Sequence, residues 1–120
     1  MKVEMFDVIQ VDFGESFGSE QGGIRPAVIV QNNKGNKYSP TVLVVPMTSG
    51  IKKINLPTHN IMHKTKSNGL DTDSTLLGEQ TTAIDKRRIL YKRGFLSTDV
   101  EKRSALEVFF ANATGRKVVL

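Results

Sequence analysis

The chain contains no cysteine and no tryptophan, and its only histidines are His59 and His63. A disulfide framework is therefore excluded, a thiolate zinc site has no ligands, and a metal centre of any other kind has few candidates. No apolar run approaches the length needed to span a bilayer. The amino-terminal MKVEMFDVIQVDF also lacks the charged segment and apolar core of a secretory leader. A cytoplasmic protein without metal or other cofactor is expected. Acidic residues are missing over one long stretch: residues 21–70 carry Arg25, Lys34, Lys37, Lys52, Lys53, Lys64 and Lys66 but no Asp or Glu. Residues 1–20 hold Glu4, Asp7, Asp12, Glu15 and Glu20 against Lys2 alone. This asymmetry says more than the net charge of +5. It predicts a positive field over part of the surface and an anionic partner, either nucleic acid or an acidic protein segment.

A length of 120 residues fits a single domain, 1–120, able to bury its own core. Residues 8–13 (VIQVDF) alternate, with Ile9, Val11 and Phe13 on one side, and read as a half-buried strand. The runs 26–31 (PAVIVQ) and 41–46 (TVLVVP) are rich in β-branched residues and bounded by turn residues, as core strands are. The intervening Asn32–Asn36 reads as a turn. Residues 54–58 (INLPT) suggest an edge strand because they contain a proline, 60–73 a polar connection, 76–80 a further strand, 85–88 a helical turn, and 89–96 an extended segment.

One clear helix is expected over 98–114. Thr98 and Glu101 make a capping box, Leu96 supplies an apolar residue ahead of it, and Gly115 stands where it should stop. At 100° per residue, Ala105, Leu106, Phe109, Phe110 and Ala113 share one face, while Val100, Val108 and Ala111 share another. One face is expected to cover the core and the other to meet a second subunit. Short strands succeeded by one terminal helix predict a mainly β (α+β) fold, a small, strongly bent sheet or barrel.

The stretch Gly18-Ser-Glu-Gln-Gly-Gly-Ile-Arg25-Pro26 carries the most chemistry. Its glycines permit positive φ and close approach of a ligand to the backbone, and the proline pushes Arg25 out of the helical region into an extended conformation. Strand 41–46 runs into Pro46-Met-Thr48-Ser49-Gly50. If 26–31 and 41–46 are antiparallel neighbours, Arg25 and Thr48 come together, and a guanidinium beside a hydroxyl makes a phosphate site. Read without a partner segment, the loop is better taken as a tight turn with a solvated arginine.

Four blocks, GSEQGGIRPAVIVQN, NKYSPTVLVVPMTS, INLPTH and GEQTTAIDKRR, resemble in order and spacing the MazF/PemK toxins of bacterial toxin–antitoxin modules, from residue 7 to about residue 96. The resemblance implies an SH3-like barrel with a carboxy-terminal helix, a homodimer, and sequence-specific cleavage of single-stranded RNA that a MazE-like antitoxin blocks by occupying the RNA groove. It places the catalytic pair on Arg25 and Thr48. The loop holding Phe17, Ser19, Glu20 and Gln21 and the loop holding Ser49, Lys52 and Lys53 would frame the groove, with His59, Glu79 and Gln80 in matching blocks. Thr82 departs from the pattern, since many relatives carry arginine there, although Lys86, Arg87 and Arg88 remain as basic neighbours.

The reaction implied is attack by the RNA 2′-hydroxyl on the adjacent phosphorus, with no metal. Arg25 would stabilise charge on the non-bridging oxygens and Thr48 would add a hydrogen bond. A guanidinium, with a pKa above about 12, is a poor base, so Glu20 and His59 are the candidates for that role. Phe17 either stacks a base or plugs the barrel end. Two other readings stand beside this one: a non-catalytic RNA- or protein-binding barrel, and a gyrase poison of the CcdB kind. The latter family uses a tryptophan-glycine-isoleucine tail, whereas this chain ends Lys117-Val-Val-Leu120.

Overall fold

The computed structural model describes residues 1–18 and 22–120. Among these residues seven strands run in the order β1 (Asp7–Asp12), β2 (Ile24–Ile29), β3 (Thr41–Ser49), β4 (His59–Met62), β5 (Ser74–Leu77), β6 (Thr82–Asp85) and β7 (Ile89–Phe95). A short helix α1 (Asn33–Tyr38) links β2 to β3, and helix α2 (Asp99–Thr114) closes the chain. All strand pairs are antiparallel, in the spatial order β4-β5-β3-β2-β1-β7, with β6 on β3. The path does not close on itself. The SH3-like barrel is thus a bent open sheet, and the long β3 is the strand about which it bends: Thr41–Val44 pair with β6, Val44–Pro46 with β2, and Met47–Ser49 with β5.

Alternation along β1, β2 and β3 buries both faces of the sheet. Val8, Val28 and Val45 point one way, into a core completed by Met62, Leu76, Leu96, Ala105 and Val108. Ile9, Val11, Ala27, Ile29, Val42 and Val44 point the other way, against Val3 and Ile84 with Phe13 and Ile89 at the margin. On β1 the side opposite Ile9 and Val11 is therefore covered at Val8 as well, which alternation of a single strand does not reveal.

Three expectations are corrected. Residues 54–58 are not a strand: backbone bonds Leu56 N to Lys53 O (3.0 Å) and His59 N to Leu56 O (3.1 Å) turn the chain there, and Ile54 and Leu56 stay exposed. The edge strand runs from His59 to Met62 and so takes in the start of the segment 60–73 read as polar, because His59 and Met62 are drawn to the core by pairing with β5. The third strand of this group spans 74–77 instead of 76–80, and Gly78–Gln80 form a 3-10 turn.

The capping box of α2 is complete, and Gly115 takes the left-handed conformation (φ 69°). Its core face, however, carries Ala105, Val108 and Ala111, while Val100 and Phe110 are exposed. Each of the two faces expected from periodicity is split, because apolar residues nearly encircle the helix and only the sheet decides which are covered.

Helix α2 approaches the sheet closely at Gly78, where a Cβ would lie 2.3 Å from the Val108 carbonyl oxygen and 2.9 Å from that of Thr58. Gly78→Ala should therefore force the helix away and lower stability by about 1–3 kcal/mol. Urea unfolding measures this directly, and an unchanged midpoint would mean that the helix yields without loss.

Candidate active site

The last bonded pairs between β2 and β3 are Ala27 with Pro46, Val28 with Val45 and Ile29 with Val44. The same register continued two residues sets Arg25 opposite Thr48. Both line one open cleft of about 320 Å³ together with Ser49. Arg25 is extended, as its place before Pro26 requires, and lies within β2 opposite Val11.

The side chain of Arg25 is half-buried, and its Nε donates to the Gly22 carbonyl at 2.9 Å, so the arginine is braced by its own glycine loop. Gly22 makes that loop possible, because a Cβ there would fall 2.5 Å from the Ser16 nitrogen. Gly23 adopts a φ of 76° and ties the loop to β1 through Gly23 N to Gly14 O (2.7 Å) and Phe13 N to Gly23 O (2.9 Å).

Thr48 is opposite Thr75 of β5, and Ser49 is opposite Ser74. The Thr75 hydroxyl donates to Gly50 O (2.7 Å) and accepts from Lys52 N (2.9 Å), while Gly50 N donates to Asp73 O (2.9 Å). These bonds fix the chain just beyond Thr48 and leave the Lys52 and Lys53 side chains exposed. The Lys64 amide, and after it the His63 ring, hold the Asp73 carboxyl below its ordinary value.

His59 is buried and outside the cleft lining. Its Nδ1 lies 3.0 Å from the Lys52 carbonyl and its Nε2 lies 2.7 Å from the Glu79 carboxylate. The carbonyl can only accept, so Nδ1 bears a proton, and the residue braces the Lys52 loop from behind. Glu79 and the half-buried Gln80 occupy the 3-10 turn beside it. Phe17 is 84% exposed, which disposes of the idea that it plugs the barrel. Ser19, Glu20 and Gln21 lie outside the described residues.

Thr82 is exposed on β6 opposite Val44 and does not line the cleft. The basic run after it is engaged elsewhere. Lys86 donates to the Asn36 carbonyl, Arg88 reaches Asp12 O (3.3 Å), and Arg87 forms a bidentate pair with Asp85 (3.0 and 2.8 Å). The Arg87 side chain, then its amide, brings the Asp85 carboxyl down to about 2.

Residues that no sequence signal marked complete the cleft: Gln10, Asp71, Thr72, Ser74 and Arg93. They come from β1, from the connection before β5, from the first residue of β5, and from β7, so only the tertiary fold assembles them. The cleft offers two guanidiniums, of which Arg93 is paired with Asp71 and Arg25, among the described residues, is not, and several hydroxyls around a space open to solvent, an arrangement suited to a phosphate diester at Arg25. Among the described residues no group of three or more His, Asp or Glu side chains is placed to hold a metal ion, and no helix is long and apolar enough to cross a membrane.

The family model described as PemK-like, MazF-like toxin of type II toxin–antitoxin system matches residues 4–105. The chain is 48% identical over 104 residues to the endoribonuclease MazF of Staphylococcus epidermidis, covering 85% of this chain and 86% of that protein. Its fold is similar to the crystal structure of MazF from Deinococcus radiodurans, with a TM-score of 0.76 at 16% identity over 96% of this chain and 98% of that one. It is also similar to an endoribonuclease in complex with its cognate antitoxin from a mycobacterial species. There the TM-score is 0.67 at 22% identity, over 94% and 95% of the two chains.

Proposed function

Because the chain belongs to the PemK-like, MazF-like toxin family, we propose that it is a sequence-specific endoribonuclease toxin that cuts single-stranded RNA, including messenger RNA, at the Arg25–Thr48 cleft. The observation that carries this reading is the register of β2 on β3, which brings these two side chains to one open cleft in a chain nearly half identical to a named endoribonuclease.

In the reaction, the 2′-oxygen of the RNA forms a bond to the adjacent phosphorus, and the bond from phosphorus to the next nucleotide's 5′-oxygen breaks. A 2′,3′-cyclic phosphate and a 5′-hydroxyl result. One proton leaves the 2′-hydroxyl and one is taken up by the departing 5′-oxygen. Arg25 donates to the non-bridging oxygens as their charge grows, and Thr48 supplies a further donor. Neither has to be the base. His59, enclosed between Lys52 O and Glu79, serves this reading as a brace for the loop carrying Lys52 and Lys53, which track the RNA backbone. Phe17 presents an exposed ring that can stack on a base.

A cognate antitoxin would cover the same cleft with an acidic segment at Arg25, as the mycobacterial relative forms a complex with its cognate antitoxin. The chain acts in the cytoplasm, where messenger RNA is found. The homodimer implied by the family does not draw on Val108 and Ala111, which face the chain's own core. Exposed apolar surface is available where Ile54, Ile61, Val100, Val119 and Leu120 share one shallow cavity.

The test is digestion of a long mixed-sequence RNA by the pure chain, sedimented first to establish that it runs at twice the chain mass. Fragments should begin with a 5′-hydroxyl and share one short sequence around each cut. Fragments with 5′-phosphates or random ends would refute the proposal.

A further inference from the structure

The cleft has one acidic wall, and its chemistry differs from that of the rest. Among the described residues Asp71 is the only carboxylate lining the cleft, which it shares with Arg25 and the hydroxyls. It is exposed, yet it is held: its Oδ2 lies 2.9 Å from Nη2 of Arg93, whose own side chain is only 10% exposed. Arg93 is fully occupied with protein. Its Nε and Nη2 donate to the Gly69 carbonyl (3.1 and 2.9 Å) and its Nη1 donates to Gln10 Oε1 (2.9 Å) and more distantly to the Tyr91 hydroxyl (3.4 Å). This second guanidinium is therefore not a phosphate clamp. It pins the connection before β5 onto β1 and β7.

The backbone leading to Asp71 is also fixed. Asn68 is fully buried, and its amide accepts from Thr65 N and Leu70 N and donates to His63 O and Glu101 Oε2. Gly69 comes so close to β7 that a Cβ would stand 2.2 Å from the Arg93 carbonyl oxygen. A carboxylate on so rigid a base is positioned to within the tolerance that recognition needs.

A carboxylate repels phosphate, so a base edge suits it as a partner in a bound RNA better than the backbone does. We infer that Asp71, anchored by Arg93, is a specificity-determining residue that accepts a hydrogen bond from the exocyclic amino group of one nucleobase beside the scissile phosphate. Adenine, cytosine and guanine present such an amino group. Uracil instead sets its two carbonyl oxygens on either side of a single N–H and is disfavoured. The inference rests on the endoribonuclease reading and adds to it the identity of one element of sequence selection.

The experiment is cleavage of an RNA pool randomised over several positions, with relative rates at every sequence read by sequencing, for the unmodified chain, Asp71→Asn and Asp71→Ala. The unmodified chain should disfavour uracil at one position. Both substitutions should narrow that discrimination by about 5- to 150-fold at the same position, while preferences elsewhere hold. A role confined to holding Arg93 would lower all sequences alike, and that result, or an unchanged motif, would overturn the inference while leaving the endoribonuclease reading intact. Folded variants that cut nothing would place Asp71 in the chemistry and overturn it too. If the unmodified chain cuts no RNA, the endoribonuclease reading itself fails and the inference goes with it.

Discussion

Arg25→Ala is expected to lower the single-turnover rate of RNA cleavage by about 10²–10³-fold while weakening RNA binding much less, because a preorganised donor acts mainly on the charge that develops in the transition state. The side chain is braced at Nε by Gly22 and faces a cleft it shares with Thr48. Its guanidinium is therefore set in place before RNA arrives, and no ordering cost falls on the reaction step. Arg25→Lys should not restore activity: an ammonium keeps the charge but loses the planar fork that meets two phosphate oxygens at once. Thr48→Val removes the hydroxyl at nearly constant shape and should also cost much of the rate. Combined with Arg25→Ala it should add far less than its separate effect, since both groups serve one phosphate. Near-normal cleavage by Arg25→Ala, or a loss confined to binding, would assign the arginine to holding RNA and place the chemistry elsewhere.

The pair is legible in the sequence for a specific reason. Two short β-branched runs joined by an Asn/Gly connection leave little choice but an antiparallel pairing, and the pre-proline restriction fixes the arginine's backbone. Within that connection Asn32 accepts from Gly35 N and so caps the short helix α1, into which the chain winds instead of making a simple turn.

The opposite wall is not legible. Asp71 and Arg93 stand far apart in sequence, in segments with no periodicity to mark them, and they meet only because β7 pairs with β1 at the far end of a sheet whose other parts are set by β3. His59 illustrates an intermediate case. Its residue type invites a catalytic role, but only the folded chain reveals that both ring nitrogens are engaged, by Lys52 O and Glu79. Residue type suggests chemistry, whereas burial and partners decide it.

A single 2′-deoxy substitution at the nucleotide preceding the cut should abolish cleavage there altogether, with no product at times long enough for the all-ribose strand to be consumed. The reason lies in what the cleft contains. Arg25 and Thr48 are donors suited to a phosphorane-like centre, and neither is a nucleophile at neutral pH. The guanidinium stays protonated, and the described residues around the threonine hydroxyl include no histidine and a single carboxylate, Asp71, which is already paired with Arg93. The attacking oxygen is then the one already held next to phosphorus by the ribose, at the high effective concentration of an intramolecular group. Removing that oxygen removes the reaction, whereas RNA binding should survive because the phosphates and bases are untouched. By the same reasoning excess EDTA should leave the rate on all-ribose RNA unchanged, since an intramolecular hydroxyl needs no metal to bring it to phosphorus. Cleavage of the deoxy-substituted strand at a comparable rate, or loss of activity in EDTA restored by added divalent ion, would mean that water is the nucleophile and that the Arg25–Thr48 cleft performs a different reaction.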